Sequence, residues 1–188
     1  MSTQDVYERL VRGAVIYLRR LHSLDKNQRY LDWLNNPEIQ RYSRFRAHAV
    51  TIDELENFLQ LVKFTRDLHC AIIVSTDNRH IGNIALNSLD EPNKNAHVSV
   101  MVGELSAWTE GYVGEAVGLI SQFAFETLGL HRIWAETPHP KFNEVLQRLG
   151  WEHESYAREA FNIDGQFVDR SRWALLEHEW RNLTQVKR

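Results

Sequence analysis

The stretch Ala96-His97-Val98-Ser99-Val100-Met101-Val102-Gly103, followed after a short loop by Trp108-Thr109-Glu110-Gly111-Tyr112-Val113-Gly114-Glu115-Ala116, decides the fold of this chain. Its first half alternates: Ala96, Val98, Val100 and Val102 fall on one face, His97, Ser99 and Met101 on the other. A period of two marks a β-strand. The second half changes period. Val113, Ala116, Val117, Ile120, Phe123, Ala124 and Leu128 recur at three- and four-residue steps, the apolar stripe of an amphipathic helix. Gly111 and Gly114 lie at the mouth of that helix. Amides at a helix start, unobstructed by side chains, form an anion site whose usual occupant is diphosphate. Strand, glycine turn and helix therefore point to a phosphate-bearing cofactor. On spacing alone, a helix that merely begins at a glycine turn stays open.

The better-known phosphate loops do not fit. Gly111, Gly114 and Gly118 do not supply G-x-G-x-x-G, and no lysine between Lys94 and Lys141 can complete a Walker A loop. Gly111-Tyr112-Val113-Gly114 is literally the G-x-x-G of an RNA clamp, but Glu110 and Glu115 flank it and repel a phosphate chain.

Further motifs occur in order: Ile81-Gly82-Asn83-Ile84, Asn93-Lys94-Asn95-Ala96, Phe125-Glu126-Thr127-Leu128-Gly129-Leu130-His131-Arg132, Leu149-Gly150-Trp151, and Asp164-Gly165 with Glu179-Trp180. With the Trp108-Thr109-Glu110-Gly111-Tyr112-Val113 turn, they make residues 16–180 resemble a GNAT-family N-acetyltransferase of the ribosomal-protein (RimJ/RimL-like) and amino-sugar branch. The resemblance implies acetyl-CoA as cosubstrate. Its pyrophosphate would lie over Trp108, Thr109, Glu110, Gly111, Tyr112, Val113, Gly114 and Glu115, with the pantetheine along the backbone of Val100, Met101 and Val102. Met101 would matter through its N–H, aimed at the thioester carbonyl. His139 and Phe142 would line the cofactor or pack the helix start. Three departures stand out. Val113 holds the position of a second small residue, His139-Pro140-Lys141-Phe142 replaces N-x-x-S, and Leu146 stands where the family often has a catalytic tyrosine.

The 188 residues fit one domain with a real core. A net charge of −3 gives no pull toward nucleic acid or anionic membrane. Cys70 is the single cysteine, which excludes an intrachain disulfide or a thiolate metal cluster, and no H-E-x-x-H occurs. Charged residues interrupt every apolar stretch near the N-terminus, so a cytoplasmic enzyme, monomeric or homodimeric, is expected. Strands are expected over 14–21, 69–75, 80–89, the quoted stretch, 132–137, 151–161 and 166–176. Helices are expected over 26–35, after Pro37, over 52–65, from the glycine turn to Gly129, and over 140–149. The result is a mixed α/β (α+β) domain: one mostly antiparallel sheet of about seven strands with helices on both faces.

Direct attack of an amine on a thioester requires a proton acceptor and a donor for the carbonyl oxygen, but no protein nucleophile. His97 is the leading base, since the catalytic glutamate of the histone-acetyltransferase branch falls on it when aligned without gaps. Glu104 and Glu136 are alternatives; an ordinary hydrogen-bonded histidine and solvated acids are the plainer readings. The resemblance implies an acceptor side at Trp33, Tyr42, Arg44 and Asn83; Trp33, Tyr42 and Phe45 would form an aromatic wall or simply belong to the core, and Arg41, Arg44, Arg46 and His48 would hold an anionic acceptor or form a solvated face. The acceptor would be a small amine such as an amino sugar, or a protein N-terminus. A non-catalytic acyl-CoA-binding module is the rival reading.

Overall fold

Long apolar runs in the central strands require cover on both faces, and the helices provide it. The computed structural model describes residues 9–43, 48–108 and 111–185. Eight strands form one sheet: β1 (Arg9–Arg12), β2 (Ile16–Arg20), β3 (Leu68–Val74), β4 (His80–Asp90), β5 (Asn95–Val102), β6 (Arg132–Thr137), β7 (Glu152–Ile163) and β8 (Gln166–Leu176). Their order is β1-β2-β3-β4-β5-β6-β8-β7. Every neighbouring pair is antiparallel except β5 and β6. The strand beyond the expected seven is β1, whose Arg-Leu-Val-Arg holds too few residues to show a period.

The helices begin where the sequence can cap them. Asn27 accepts the Tyr30 N–H at 2.9 Å to start α1 (Gln28–Asn35). Asn36 and Pro37 start α2 (Pro37–Gln40), and a Thr51/Glu54 capping box starts α3 (Ile52–Leu61). The helix α4 (Tyr112–Gln122) runs on through a π-helical turn, Phe123–Thr127, which re-phases the stripe so that Ala124 and Phe125 are both buried. Gly129, at φ +64°, ends it. α5 (Pro140–Arg148) and α6 (Glu177–Gln185) complete the chain.

Two apolar clusters lie on opposite faces. Val98, Ile84 and Ile72 pack with Val113, Val117 and Ile120 of α4 and Leu146 of α5. Tyr17, Ala71 and Ile73 pack with Tyr30 and Trp33 of α1 and Leu55 and Leu59 of α3. The sheet is not closed throughout. β5 bridges β6 only at Asn95↔Arg132, Ala96↔Ile133 and His97↔Trp134. Beyond those rungs β5 stays with β4 as far as Val102, and β6 with β8 as far as Thr137. After His97 the two strands part.

Candidate active site

Where β5 and β6 part, a cavity of about 510 Å³ opens. Val98 and Phe142 line it from the cluster under α4, Tyr30 and Leu55 from the cluster under α1 and α3. Both faces of the sheet thus contribute walls to one cavity, so a ligand threading the gap can meet another arriving from the far face.

The backbone of β5 supplies one wall. Gly103 donates its N–H to Ile81 O at 2.9 Å. In an antiparallel ladder alternate residues turn their polar groups to the same neighbour, so Met101, Ser99 and His97 face β4 while Val98, Val100 and Val102 face the gap. Val100 and Val102 thus turn to the gap backbone groups that an extended polar chain can pair with. The Met101 N–H does not: it points at Asn83 of β4, and only its side chain, touched by Gln40 Nε2 at 3.4 Å, reaches the cavity wall.

The side chains above this edge are polar, which is unusual at the centre of a sheet. His97 lines the cavity and lies on Trp134 with ring centroids 4.5 Å apart. Asn87 donates from Nδ2 to Ser99 Oγ at 2.7 Å. Asn83 and His69 complete this floor. His80 contacts Asn83 Oδ1 through Nε2 at 2.9 Å. Burial lowers the pKa of His69 and keeps its imidazole neutral. The sequence reading passed over His69, Asn87 and Tyr30. The signal available was polarity at alternate positions in otherwise apolar central strands.

At the helix mouth Gly111 takes φ +80°, a left-handed turn with no side-chain cap. Glu115 N–H is bonded to Gly111 O at 3.2 Å, so the amides before it in the first turn, Val113 and Gly114 among them, lie beyond the intrahelical ladder. A Cβ on Gly114 would meet nothing within 4 Å. Val113 sends its side chain into the core, which explains why a small residue is dispensable there. Thr109 and Glu110 lie outside the described residues. The Glu115 side chain corrects its expected role. Its carboxylate turns away to accept Val15 N–H at 3.0 Å and Ile16 N–H at 3.3 Å, tying α4 to the β1–β2 turn. Tyr112 packs against the core beneath the sheet.

Trp108, His139 and Tyr42 form a stack, with centroids 4.8 Å apart for the first pair and 4.3 Å for the second. This places the expected cofactor residues Trp108 and His139 beside the expected acceptor residue Tyr42, all on the cavity wall with Phe142. Burial and then Lys141 lower the pKa of His139, whose buried Nδ1 has no hydrogen-bond partner.

Several expected residues fall elsewhere. Glu104 lies outside the cavity and is claimed by Arg79 and, at 3.5 Å, by Arg29. Glu136 reaches the wall but accepts from Arg170 at 2.7 Å and from Arg172. Each of its carboxylate oxygens is thus engaged by an arginine. Trp33 is no acceptor wall: it is 5 % exposed and packs on Gly103. Arg41 pairs with Asp164 at 3.4 Å, and His48 lines the cavity. Arg44, Phe45 and Arg46 lie outside the described residues. Burial pushes the Cys70 thiol up to about 12, so it is not a nucleophile.

The profile of the Acetyltransferase (GNAT) domain matches residues 16–152 of this sequence. The chain belongs to the GNAT acetyltransferase family. It is similar to an uncharacterized N-acetyltransferase, p20, of Bacillus licheniformis, with 24 % identity over 87 % of this chain and 93 % of the relative. It is also similar to the ribosomal protein uS5-alanine N-acetyltransferase of Escherichia coli K12, with 37 % identity over 38 % of each chain. Among solved structures, the spermidine N-acetyltransferase of Vibrio cholerae in complex with CoA and spermine shares the fold. Its TM-score is 0.81 at 20 % identity, covering 90 % of this chain and all (100 %) of the other. This GNAT protein is an acetyl-CoA-dependent N-acetyltransferase, and acetyl-CoA is its cosubstrate. Among the described residues no helix is long and apolar enough to cross a membrane.

Proposed function

We propose that the enzyme acetylates a primary amine by direct attack on the thioester, with His97 as the proton acceptor. The observation that carries this is the cavity through the parted sheet, with the His97 imidazole on its wall at the last β5–β6 rung. On this reading the pantetheine pairs with the gap-facing edge at Val100 and Val102, and the pyrophosphate sits over the first-turn amides of α4. The neutral amine enters from the face of α1 and α3, attacks the carbonyl carbon and gives up one proton to His97 as the C–N bond forms. An imidazole suits this because it is neutral and basic near physiological pH.

The acceptor is a small amine, such as an amino sugar, or a protein N-terminus. Two similar proteins, a spermidine N(1)-acetyltransferase and a ribosomal protein uS5-alanine N-acetyltransferase, span that range. The proposed place of work is the cytoplasm, alongside a supply of acetyl-CoA. Thiol release from acetyl-CoA, followed over a panel of amino sugars, polyamines and short peptides, tests the reading. Turnover on an amine is expected. Tight CoA binding without turnover on any of them would favour a non-catalytic acyl-CoA-binding module.

A further inference from the structure

The oxygen of a thioester becomes negatively charged when an amine attacks, and a fixed donor aimed at it lowers the barrier. Leu146, 0 % exposed within the core, has no hydroxyl to offer. We propose that Ser99 is that donor, with Asn87 as its positioning residue; the inference rests on the acetyltransferase reading above.

Ser99 lies two residues beyond His97, where β5 has just left β6. Its side chain shares the face of His97, is half-buried and lines the cavity. Asn87 stands opposite His97 on β4, and its Nδ2 donates both to Ser99 Oγ at 2.7 Å and to His97 O at 3.4 Å. One amide thus ties the hydroxyl to the strand that carries the base. The bond also fixes the sense of the hydroxyl. With a lone pair engaged by Asn87, the oxygen turns its own proton outward, polarised as a better donor.

The amine nitrogen bonds to the carbonyl carbon and the C=O π pair moves onto oxygen. Ser99 hydrogen-bonds that oxygen without giving up its proton. Collapse restores C=O and breaks the C–S bond; the proton that nitrogen gave to His97 is the one the departing thiolate takes up.

Kinetics on the full chain test the idea, with CoA affinity measured by calorimetry and folding by thermal melting. Ser99→Ala should lower kcat by about 10²–10³-fold, the usual loss for one such donor, with the amine KM and CoA affinity changed by less than about twofold. Ser99→Thr, which keeps the hydroxyl, should stay within about tenfold of wild type. Asn87→Ala should lower kcat by less than Ser99→Ala and add nothing further in the double variant. If Ser99→Ala does not fold, Ser99→Cys carries the same comparison with a weak donor. A kcat within about threefold of wild type for Ser99→Ala, or a loss that falls on CoA affinity instead, overturns the role of Ser99 alone. A wild-type protein that binds CoA but neither acetylates an amine nor hydrolyses acetyl-CoA overturns the acetyltransferase mechanism and this inference together.

Discussion

At the residue scale, His97 is held in place by the Trp134 ring on the neighbouring strand, and that ring is in turn covered by the Arg172 guanidinium 4.8 Å from its centroid. An imidazole fixed this way can act as a base without paying an ordering cost at each turnover. His97→Ala should lower kcat by about 10²–10⁴-fold while CoA affinity measured by calorimetry stays unchanged. His97→Glu should keep part of the activity. A normal kcat in the alanine variant would remove His97 from the mechanism. Trp33 belongs to the other kind of residue. It is buried between Tyr30, His80 and Gly103, so Trp33→Ala should cost about 3–5 kcal/mol in urea unfolding. Unchanged stability with a raised amine KM would return Trp33 to the acceptor wall.

At the element scale, the start of α4 separates anion binding from structure. Gly111 needs its left-handed backbone, so replacing it disturbs the turn as well as the proposed site. Gly114 has no such need and opens onto empty space. Gly114→Ala should therefore stabilise the helix by about 0.5–1 kcal/mol, and Gly114→Val should crowd the anion at the helix mouth and weaken CoA binding in a folded protein. Unaltered CoA affinity in Gly114→Val would place the pyrophosphate elsewhere. Glu115→Gln should do the reverse. It weakens the carboxylate bonds to Val15 and Ile16, lowering stability by about 1 kcal/mol, while CoA affinity holds.

At the scale of the whole molecule, three partly or wholly buried imidazoles set how stability responds to acid. Burial lowers the pKa of His69, His80 and His139 below the ordinary 6.5. The unfolded chain then binds protons at a higher pH than the folded one, so stability is fully present above about 6.5 and is lost as pH falls through the lowered values. Asp25 acts in a lower window. Burial pushes its carboxyl up, but the bonds and charge of Arg19 outweigh that and hold it below 3.8. The urea midpoint should drop between pH 7.5 and pH 5.5, and by less in a His80→Asn variant. An equal drop in wild type and variant would take His80 out of the effect.

Periodicity and punctuation alone determined the strand–turn–helix at residues 96–122, the mixed sheet and most helix boundaries, because side-chain alternation, caps and glycine turns act over a few residues. Gly129 ends its helix where the sequence places that end. The short β1 and the π-helical turn escaped it, the first for want of length and the second because it answers to packing. The site divided in the same way. Local pattern pointed to Gly111 and Gly114, and the family resemblance to Val100, Val102 and His97, whose roles remain proposals. That Met101 turns its N–H to β4, that Glu104 and Glu136 are taken by arginines, that Glu115 braces the β1–β2 turn and that Trp33 fills the core were decided by tertiary structure. So was the meeting of Asn87 with Ser99 and of Tyr42 with His139. A single sequence records which side chains an element carries on each face. Strand register and the packing of distant side chains decide which of them meet, and those depend on contacts across 12 to 100 residues of chain.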